Sequence, residues 1–264
     1  MLKIDNLCKT FFKGTINEKK AIKNISLTIN DGDFITIIGG NGAGKSTLLN
    51  LISGTLSLDE GQIIIDDIDV SHQPEYKRAK FIGRVFQDPM TGTCADLSIE
   101  ENLSLAKRRG RFRTLKRGIT SKEKIEYKEV LKQLNLGLEE RLSSKVGLLS
   151  GGQRQALTLL MATLVKPKLL LLDEHTAALD PKTANTVLEL TEELVKRDNL
   201  TTLMITHNMK DALKYGNRLI MMSEGRVVLD ISGEEKQQLT VNDLLKKFET
   251  VTGNEVISDR MLLS

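Results

Sequence analysis

The residues with the clearest potential for chemistry form one glycine-rich loop, Gly39-Gly40-Asn41-Gly42-Ala43-Gly44-Lys45-Ser46-Thr47. The apolar run Ile35–Ile38 precedes this loop, and a helix-like segment that begins near Lys45 follows it. Glycines let the backbone turn tightly and aim its N–H groups inward, while the helix start and the Lys45 ammonium add positive charge. The pattern predicts a phosphate-binding loop in which Lys45 contacts phosphate and the Ser46 hydroxyl binds Mg²⁺.

A second helix start with the same potential lies at Leu149-Ser150-Gly151-Gly152-Gln153-Arg154. Apolar residues at helical spacing follow it, and Ser150 is suited to cap the helix. One bound nucleotide does not need both anion-binding helix ends, so the second end requires another explanation.

These two motifs together resemble the ATP-binding subunit of ABC transporters, of the stand-alone bacterial type, whose signature motif is Leu-Ser-Gly-Gly-Gln. The resemblance covers the chain from about Leu2 to Phe248. It implies an α/β P-loop NTPase (RecA-like) core with an amino-terminal antiparallel β subdomain and an inserted α-helical subdomain. It also implies that two copies pair head to tail around two ATP molecules. The signature residues of one copy then contact the γ-phosphate held by the other: Ser150, Gly151, Gly152 and Gln153.

Two acidic residues, Asp173 and Glu174, follow the apolar run Leu169–Leu172. Ligands of parallel sheets bind at the carboxyl ends of the strands. We expect Asp173 to hold Mg²⁺ and Glu174 to polarise the attacking water as a general base. The alternative is a solvated strand end, although two adjacent carboxylates are costly to place there without a cation or water.

Three further positions match the family in the expected order. Gln87 corresponds to the glutamine whose carbonyl reaches Mg²⁺ and the water, Asp180 to the residue that contacts the partner subunit, and His207 to the histidine that hydrogen-bonds the γ-phosphate. The chain departs from the family where Ala177 replaces a common Ser and His175 replaces a common Pro. We assign no catalytic role to His175, since an additional histidine is more often structural or exposed.

The aromatic residue expected to stack on adenine lies in Lys9-Thr10-Phe11-Phe12. Alignment of this segment with the family's aromatic loop favours Phe11, and Phe12 remains an alternative. A phenylalanine ring can supply the dispersion that stacking requires.

The remaining sequence predicts the elements that position these residues. Residues 2–7 and 25–29 alternate apolar and polar in the manner of antiparallel strands, joined by 62–66. Four continuous apolar runs predict parallel strands covered on both faces: Ile35–Ile38, Leu169–Leu172, Leu203–Ile205 and Leu219–Met222. We expect one ATPase domain over 1–250, a helical subdomain inserted at about 88–166, and a short tail over 251–264.

The charge and cysteine content of the chain limit the functions that it can be expected to have. The chain has 264 residues, with 38 Lys and Arg against 35 Asp and Glu, a formal charge of +3 that does not predict nucleic-acid binding. Its cysteines, Cys8 and Cys94, have no spacing typical of zinc sites or disulfide frameworks, which favours a reducing compartment. A basic segment, 107–117, is by default a solvated loop, and its alternative partners are anionic lipid headgroups or acidic permease residues.

The predicted function is an ATPase that dimerises on ATP and drives a separate transmembrane permease at the cytoplasmic face of the membrane. We expect uptake of a small solute such as an amino acid, together with an extracytoplasmic solute-binding protein. The alternatives are an export subunit, a soluble ABC ATPase that acts mechanically on ribosomes or DNA, and a regulatory module that binds ATP without hydrolysis.

Overall fold

The computed structural model describes residues 1–111 and 118–252 of the chain. The chain divides into two compact units: the first contains Met1–Arg78 and the chain from Asn199 onward, and the second contains Ala79–Asp198. Within the described residues, no helix is both long enough and apolar enough to cross a membrane. The predicted tail over 251–264 lies outside the described residues from position 253.

The described residues contain ten strands and nine α-helices. The strands are β1 (Leu2–Phe11), β2 (Lys19–Ile29), β3 (Phe34–Gly39), β4 (Glu60–Ile65), β5 (Ile68–Asp69), β6 (Ile82–Val85), β7 (Leu169–Asp173), β8 (Thr202–Ile205), β9 (Arg218–Ser223) and β10 (Arg226–Ser232). The helices are α1 (Lys45–Ser53), α2 (Glu75–Arg78), α3 (Ile99–Lys107), α4 (Ser121–Lys132), α5 (Gly151–Thr163), α6 (Pro181–Asp198), α7 (Met209–Lys214), α8 (Gly233–Gln238) and α9 (Val241–Thr252).

The first unit contains an antiparallel sheet in the order β2-β1-β4-β5. Its strands alternate as predicted, because Ile25, Leu27 and Ile29 of β2 are buried and the residues between them are exposed. β1 pairs with both β2 and β4, which brings the predicted segments 2–7, 25–29 and 62–66 into one sheet.

The first unit also contains the strand order β10-β9-β3-β8. β3 lies parallel to both β8 and β9, and every residue of β3 is buried, as expected for a parallel strand covered on both faces. β10 pairs antiparallel with β9. Since parallel neighbours end at the same edge, the segments that follow β3 and β8 leave the sheet side by side.

The second unit joins two parallel strands to a helical core. β6 pairs with β7, and the helices α3, α4 and α5 bury a shared set of apolar side chains that includes Leu103, Leu131 and Leu157. The sequence did not predict β6, because Gly83 and Arg84 interrupt its apolar character.

The carboxyl end of α1 is held by Arg78, a side chain only 2% exposed. Its guanidinium donates to Leu51 O at 2.7 Å and Ile52 O at 2.9 Å, and also to Ser71 O and Gln73 O. The last carbonyls of a helix have no intrahelical partner, and a cation placed there also interacts favourably with the helix dipole. Burial lowers the pKa of Arg78 from its ordinary value, yet the residue stays charged.

We expect Arg78→Met to lower the free energy of unfolding by about 3 kcal/mol, because three buried hydrogen bonds and one partly buried hydrogen bond to carbonyl groups are lost. Urea denaturation of the full chain measures this change. The matched control is Lys77→Met, which removes an exposed cation from the same helix and is expected to leave the midpoint unchanged. Equal midpoints for the two variants would contradict the role of Arg78.

Candidate functional site

The loop predicted to bind phosphate connects β3 to α1 in the first unit. Gly44 caps α1 with φ 101°, and a Cβ there would lie 2.6 Å from Ala21 O, so the position requires glycine. Lys45 is the first residue of α1 and is buried. Its ammonium donates to Gly39 O at 2.8 Å and to Gly40 O at 3.2 Å, which holds the charge across the loop.

The rest of the loop leaves room for a ligand. Ala43 N donates to Gly40 O at 3.2 Å, and a Cβ at Gly40 would meet nothing within 4 Å. Ser46 and Thr47 lie in the first turn of α1, where the N–H groups have no intrahelical acceptor. An ammonium, open backbone and a helix start together fit a polyphosphate chain.

The predicted adenine-stacking residue lies at the end of β1. Phe11 pairs across the sheet with Lys19 of β2, whereas Phe12 has φ 52° and is 69% exposed. The Lys9 ammonium lies 5.9 Å from the centre of the Phe11 ring. These positions leave the choice between Phe11 and Phe12 open.

Lys19 is a cation near the phosphate loop that the sequence analysis missed. Its Nζ lies 3.4 Å from the position that a Cβ on Gly42 would occupy. No local pattern distinguishes Lys19, because it is one of several lysines in the segment.

His207 follows β8, the parallel neighbour of β3. Thr206 N donates to Ile37 O at 3.2 Å, which continues the pairing up to the histidine. Asn208 then caps α7 by accepting from Lys210 N at 2.8 Å and Asp211 N at 3.1 Å. His207 and the phosphate loop therefore leave the same edge of the sheet.

Three predicted residues lie at or just after the carboxyl ends of the two parallel strands of the second unit. Gln87 comes shortly after β6, Asp173 ends β7, and Glu174 follows it, while Val85 pairs with Leu172. The three therefore lie at one strand edge. They offer amide and carboxylate oxygens, which are donors that suit Mg²⁺ chemically.

This strand edge contains a contact between opposite charges and a residue with an unusual backbone conformation. Arg84 of β6 lies 3.5 Å from a carboxylate oxygen of Asp173, and its guanidinium stacks 4.5 Å from the centre of the Phe86 ring. Glu174 has φ 48°, the left-handed region that residues with a Cβ seldom occupy. The backbone at Glu174 must be held by its surroundings.

His175 follows Glu174 directly and is held by a contact with helix α6. The side chain is 2% exposed, and its Nε2 lies 3.1 Å from Thr191 Oγ1 on α6. Burial lowers the pKa of His175 to about 4, so the imidazole is neutral. The Thr191 hydroxyl donates to Val187 O at 2.7 Å, so its single hydrogen is used there and the histidine Nε2–H is the donor between the two side chains.

The signature segment forms the start of α5, and its predicted cap is confirmed. Gln153 N donates to Ser150 Oγ at 3.3 Å, while Ser150 N donates to the Gln153 side chain at 3.2 Å, a reciprocal capping box. Arg154 is buried and donates to Gly147 O at 3.0 Å and Val146 O at 3.2 Å, which fixes the approach to the helix.

The signature packs against the segment that carries Asp180. A Cβ on Gly152 would lie 2.1 Å from Thr183 Cγ2, so the start of α5 touches the first turn of α6. Asp180 accepts from Thr183 N at 3.1 Å, and hydrogen bonds from the Thr183 hydroxyl and N–H lower the pKa of the Asp180 carboxyl. One residue, Thr183, thus contacts both motifs within the chain.

Gln155 links α5 to the glutamine loop and was not identified from the sequence. Its side-chain amide donates to Phe86 O at 3.0 Å, one residue before Gln87, and Gln155 is fully buried. One sequence feature indicates its burial: Gln155 lies four residues before Leu159, which places this polar residue on the apolar face of the helix.

The expectation that the basic segment is a solvated loop is wrong for Arg109. Arg109 is largely buried and donates to Ala162 O and Val165 O at the end of α5. Arg108 pairs with Glu123, and Lys107 pairs with Glu126. These three side chains therefore have partners within the second unit. Residues 112–117 of the segment lie outside the described residues.

Comparison with known proteins identifies close relatives. A family model described as ABC transporter matches residues 22–177. The chain is 50% identical over 249 residues to "Tyrosine transport ATP-binding protein" of Clostridioides difficile (strain R20291), covering 94% of this chain and 99% of that protein. It is 35% identical to "Energy-coupling factor transporter ATP-binding protein EcfA2" of Clostridium tetani (strain Massachusetts / E88), covering 93% and 83%.

Solved structures agree with these relatives. The ATP-binding cassette MJ0796, described as a dimeric post-hydrolysis state bound to ADP and Pi, is 31% identical with a TM-score of 0.75, covering 88% of this chain and 98% of that chain. The ADP conformation of the cassette MJ1267 is 27% identical with a TM-score of 0.76, covering 100% and 99%. The predicted α/β P-loop fold with its antiparallel β subdomain is therefore confirmed.

We expect Gly152→Ala to destabilise the chain by about 1–3 kcal/mol, because the new methyl group overlaps the methyl group of Thr183. Thr183→Ser removes that methyl and keeps the hydroxyl, so the double variant is expected to recover most of the loss. Chemical denaturation of the four proteins of this cycle measures the coupling. Independent, additive losses would show that the two side chains do not collide.

Proposed function

The chain belongs to the ABC transporter family as an ATPase coupled to transport, and from this premise we propose that it drives a separate transmembrane permease for uptake of tyrosine or a related amino acid. The observation that carries the ATPase part of the proposal is the buried Lys45 ammonium held across a glycine loop at the start of α1. The cargo rests on the named function of the relative that is 50% identical.

In the first unit, the phosphate loop binds the ATP phosphates. Its contacts come from backbone N–H groups of Gly39–Thr47 and from Lys45, with Lys19 close enough to the loop to add charge. Phe11 stacks on adenine, and His207 hydrogen-bonds the γ-phosphate. Because His207 and the loop follow neighbouring parallel strands, the histidine is positioned to respond to the phosphate bound there.

In the second unit, Glu174 accepts the proton of the attacking water as general base. Gln87 orients that water through its side-chain oxygen. We propose that Ser46, Gln87 and Asp173 hold Mg²⁺. When bound, this ion supplies positive charge that stabilises the phosphate oxygens as negative charge shifts during phosphoryl transfer.

We further propose a head-to-tail dimer, in which Ser150, Gly151, Gly152 and Gln153 of one copy contact ATP bound by the other. Cassettes of this family dimerise, and the similar MJ0796 structure is described as dimeric. The start of α5 supports this role, because the N–H groups of Gly151 and Gly152 lie in the first turn, where a helix offers them no acceptor of its own. Asp180 contacts the partner copy next to the signature.

We place the assembly at the cytoplasmic face of a membrane through the permease. Uptake is favoured over export because relatives include the spermidine/putrescine import protein PotA and the methionine import protein MetN, each 34% identical. The expected extracytoplasmic solute-binding protein finds no support in these relatives, and the proposal does not depend on it. For the domain organisation we retain one ATPase domain over 1–250, with the helical subdomain at about 88–166.

We expect Glu174→Gln to lower kcat for ATP hydrolysis by at least about 100-fold, because the amide cannot accept the proton. The variant should accumulate as an ATP-bound dimer, measured by size exclusion with light scattering in ATP with EDTA and in ATP with Mg²⁺. Glu193→Gln, an exposed change on α6, serves as the control with wild-type turnover. A monomer in every condition would contradict the dimer proposal, and retained turnover would contradict the assignment of Glu174.

The cargo is tested in cells that express the chain with its permease. We expect ATP-dependent accumulation of labelled tyrosine that is lost in Lys45→Ala, because the phosphates lose their principal cation. Unlabelled tyrosine should compete more strongly than methionine or spermidine. Faster loss of preloaded tyrosine would indicate export, and accumulation unaffected by Lys45→Ala would overturn the coupling of this chain to the permease.

A further inference from the structure

We propose that His175 is a positioning residue for hydrolysis, which acts through Thr191 to hold the backbone of Glu174 in its catalytic geometry. The inference rests on the proposed role of Glu174 as the base. It assigns a function to a position where this chain departs from the common proline of its family.

The backbone at Glu174 needs such support. Its φ of 48° lies in the left-handed region, which is unfavourable for a residue with a Cβ and persists only where the surroundings impose it. Ala177 N donates to Glu174 O at 2.9 Å, which closes a turn over residues 174–177. His175 follows Glu174 directly within this turn, and its side chain is almost fully buried.

The His175 side chain is anchored to a rigid element. Thr191 lies inside α6, a helix of 18 residues, and its hydroxyl is fixed by donation to Val187 O. The histidine Nε2–H therefore has one acceptor at a defined place, 3.1 Å away. A proline would restrict this position through its ring, whereas His175 restricts it through a buried hydrogen bond.

The same hydrogen bond can be removed from either end with little change in volume. Thr191→Val keeps the shape and removes the acceptor, while His175→Phe keeps an aromatic ring and removes the donor. We expect each variant to lower kcat by about three- to tenfold with KM for ATP within about twofold, because the lost contact affects the base and not nucleotide binding. The double variant should be no slower than the worse single variant.

Two controls separate positioning from general stability. Thr186 lies on the same helix and its hydroxyl donates to Lys182 O at 3.1 Å, just as Thr191 donates to Val187 O. Thr186→Val is therefore expected to keep wild-type kcat. Thr191→Ser retains the hydroxyl and should restore at least half of the turnover lost in Thr191→Val.

Glu174→Gln is measured in parallel, alone and combined with Thr191→Val. Full turnover in Glu174→Gln would mean that the proposed function fails. An inactive Glu174→Gln beside a fully active Thr191→Val would overturn only the positioning role. That role is also overturned when Thr191→Val lowers the free energy of unfolding while kcat per folded molecule stays at the wild-type value. In the Glu174→Gln background, we expect Thr191→Val to cause no further loss.

Discussion

Backbone groups at helix ends, which the helix itself cannot satisfy, are the constraint on which both predicted phosphate-binding motifs depend. The first N–H groups of α1 and α5 have no intrahelical acceptor, which makes each helix start attractive to anions. Carbonyl groups at the opposite ends accept from arginine side chains, the buried Arg78 for α1 and the partly buried Arg109 for α5. Satisfying the carboxyl end with protein groups fixes each helix while its amino end stays available for a ligand.

Parallel strands then bring together residues that are distant in the chain. His207 follows β8 and the phosphate loop follows β3, although more than a hundred residues separate them in sequence. The same principle in the second unit places Gln87 beside Asp173 at the ends of β6 and β7. The chemistry thus depends on which strands are neighbours, because a change of strand order would separate these pairs while leaving every motif intact.

The accuracy of sequence-based prediction follows from the range of each interaction. The cap at Ser150 and the start of α1 near Lys45 were predicted correctly, because capping and glycine conformation are determined within a few residues. β6 was missed because pairing with β7 compensates for its weak apolar pattern. The hydrogen bond of His175 and the burial of Arg109 were also missed, since their partners are 16 and 53 to 56 residues away and no local rule identifies them.

Helix α6 connects the proposed chemical roles of the second unit. Its first turn contacts Gly152 through Thr183 and binds Asp180, both of which we assign to contacts with a second copy. Its interior holds His175 through Thr191, next to the proposed base Glu174. A close-packed helix moves as a unit more readily than it bends, so a displacement of its amino end by the partner copy also moves the anchor of His175. The proposed partner contacts and the anchor of the proposed base thus share one helix, through contacts that all lie within the second unit.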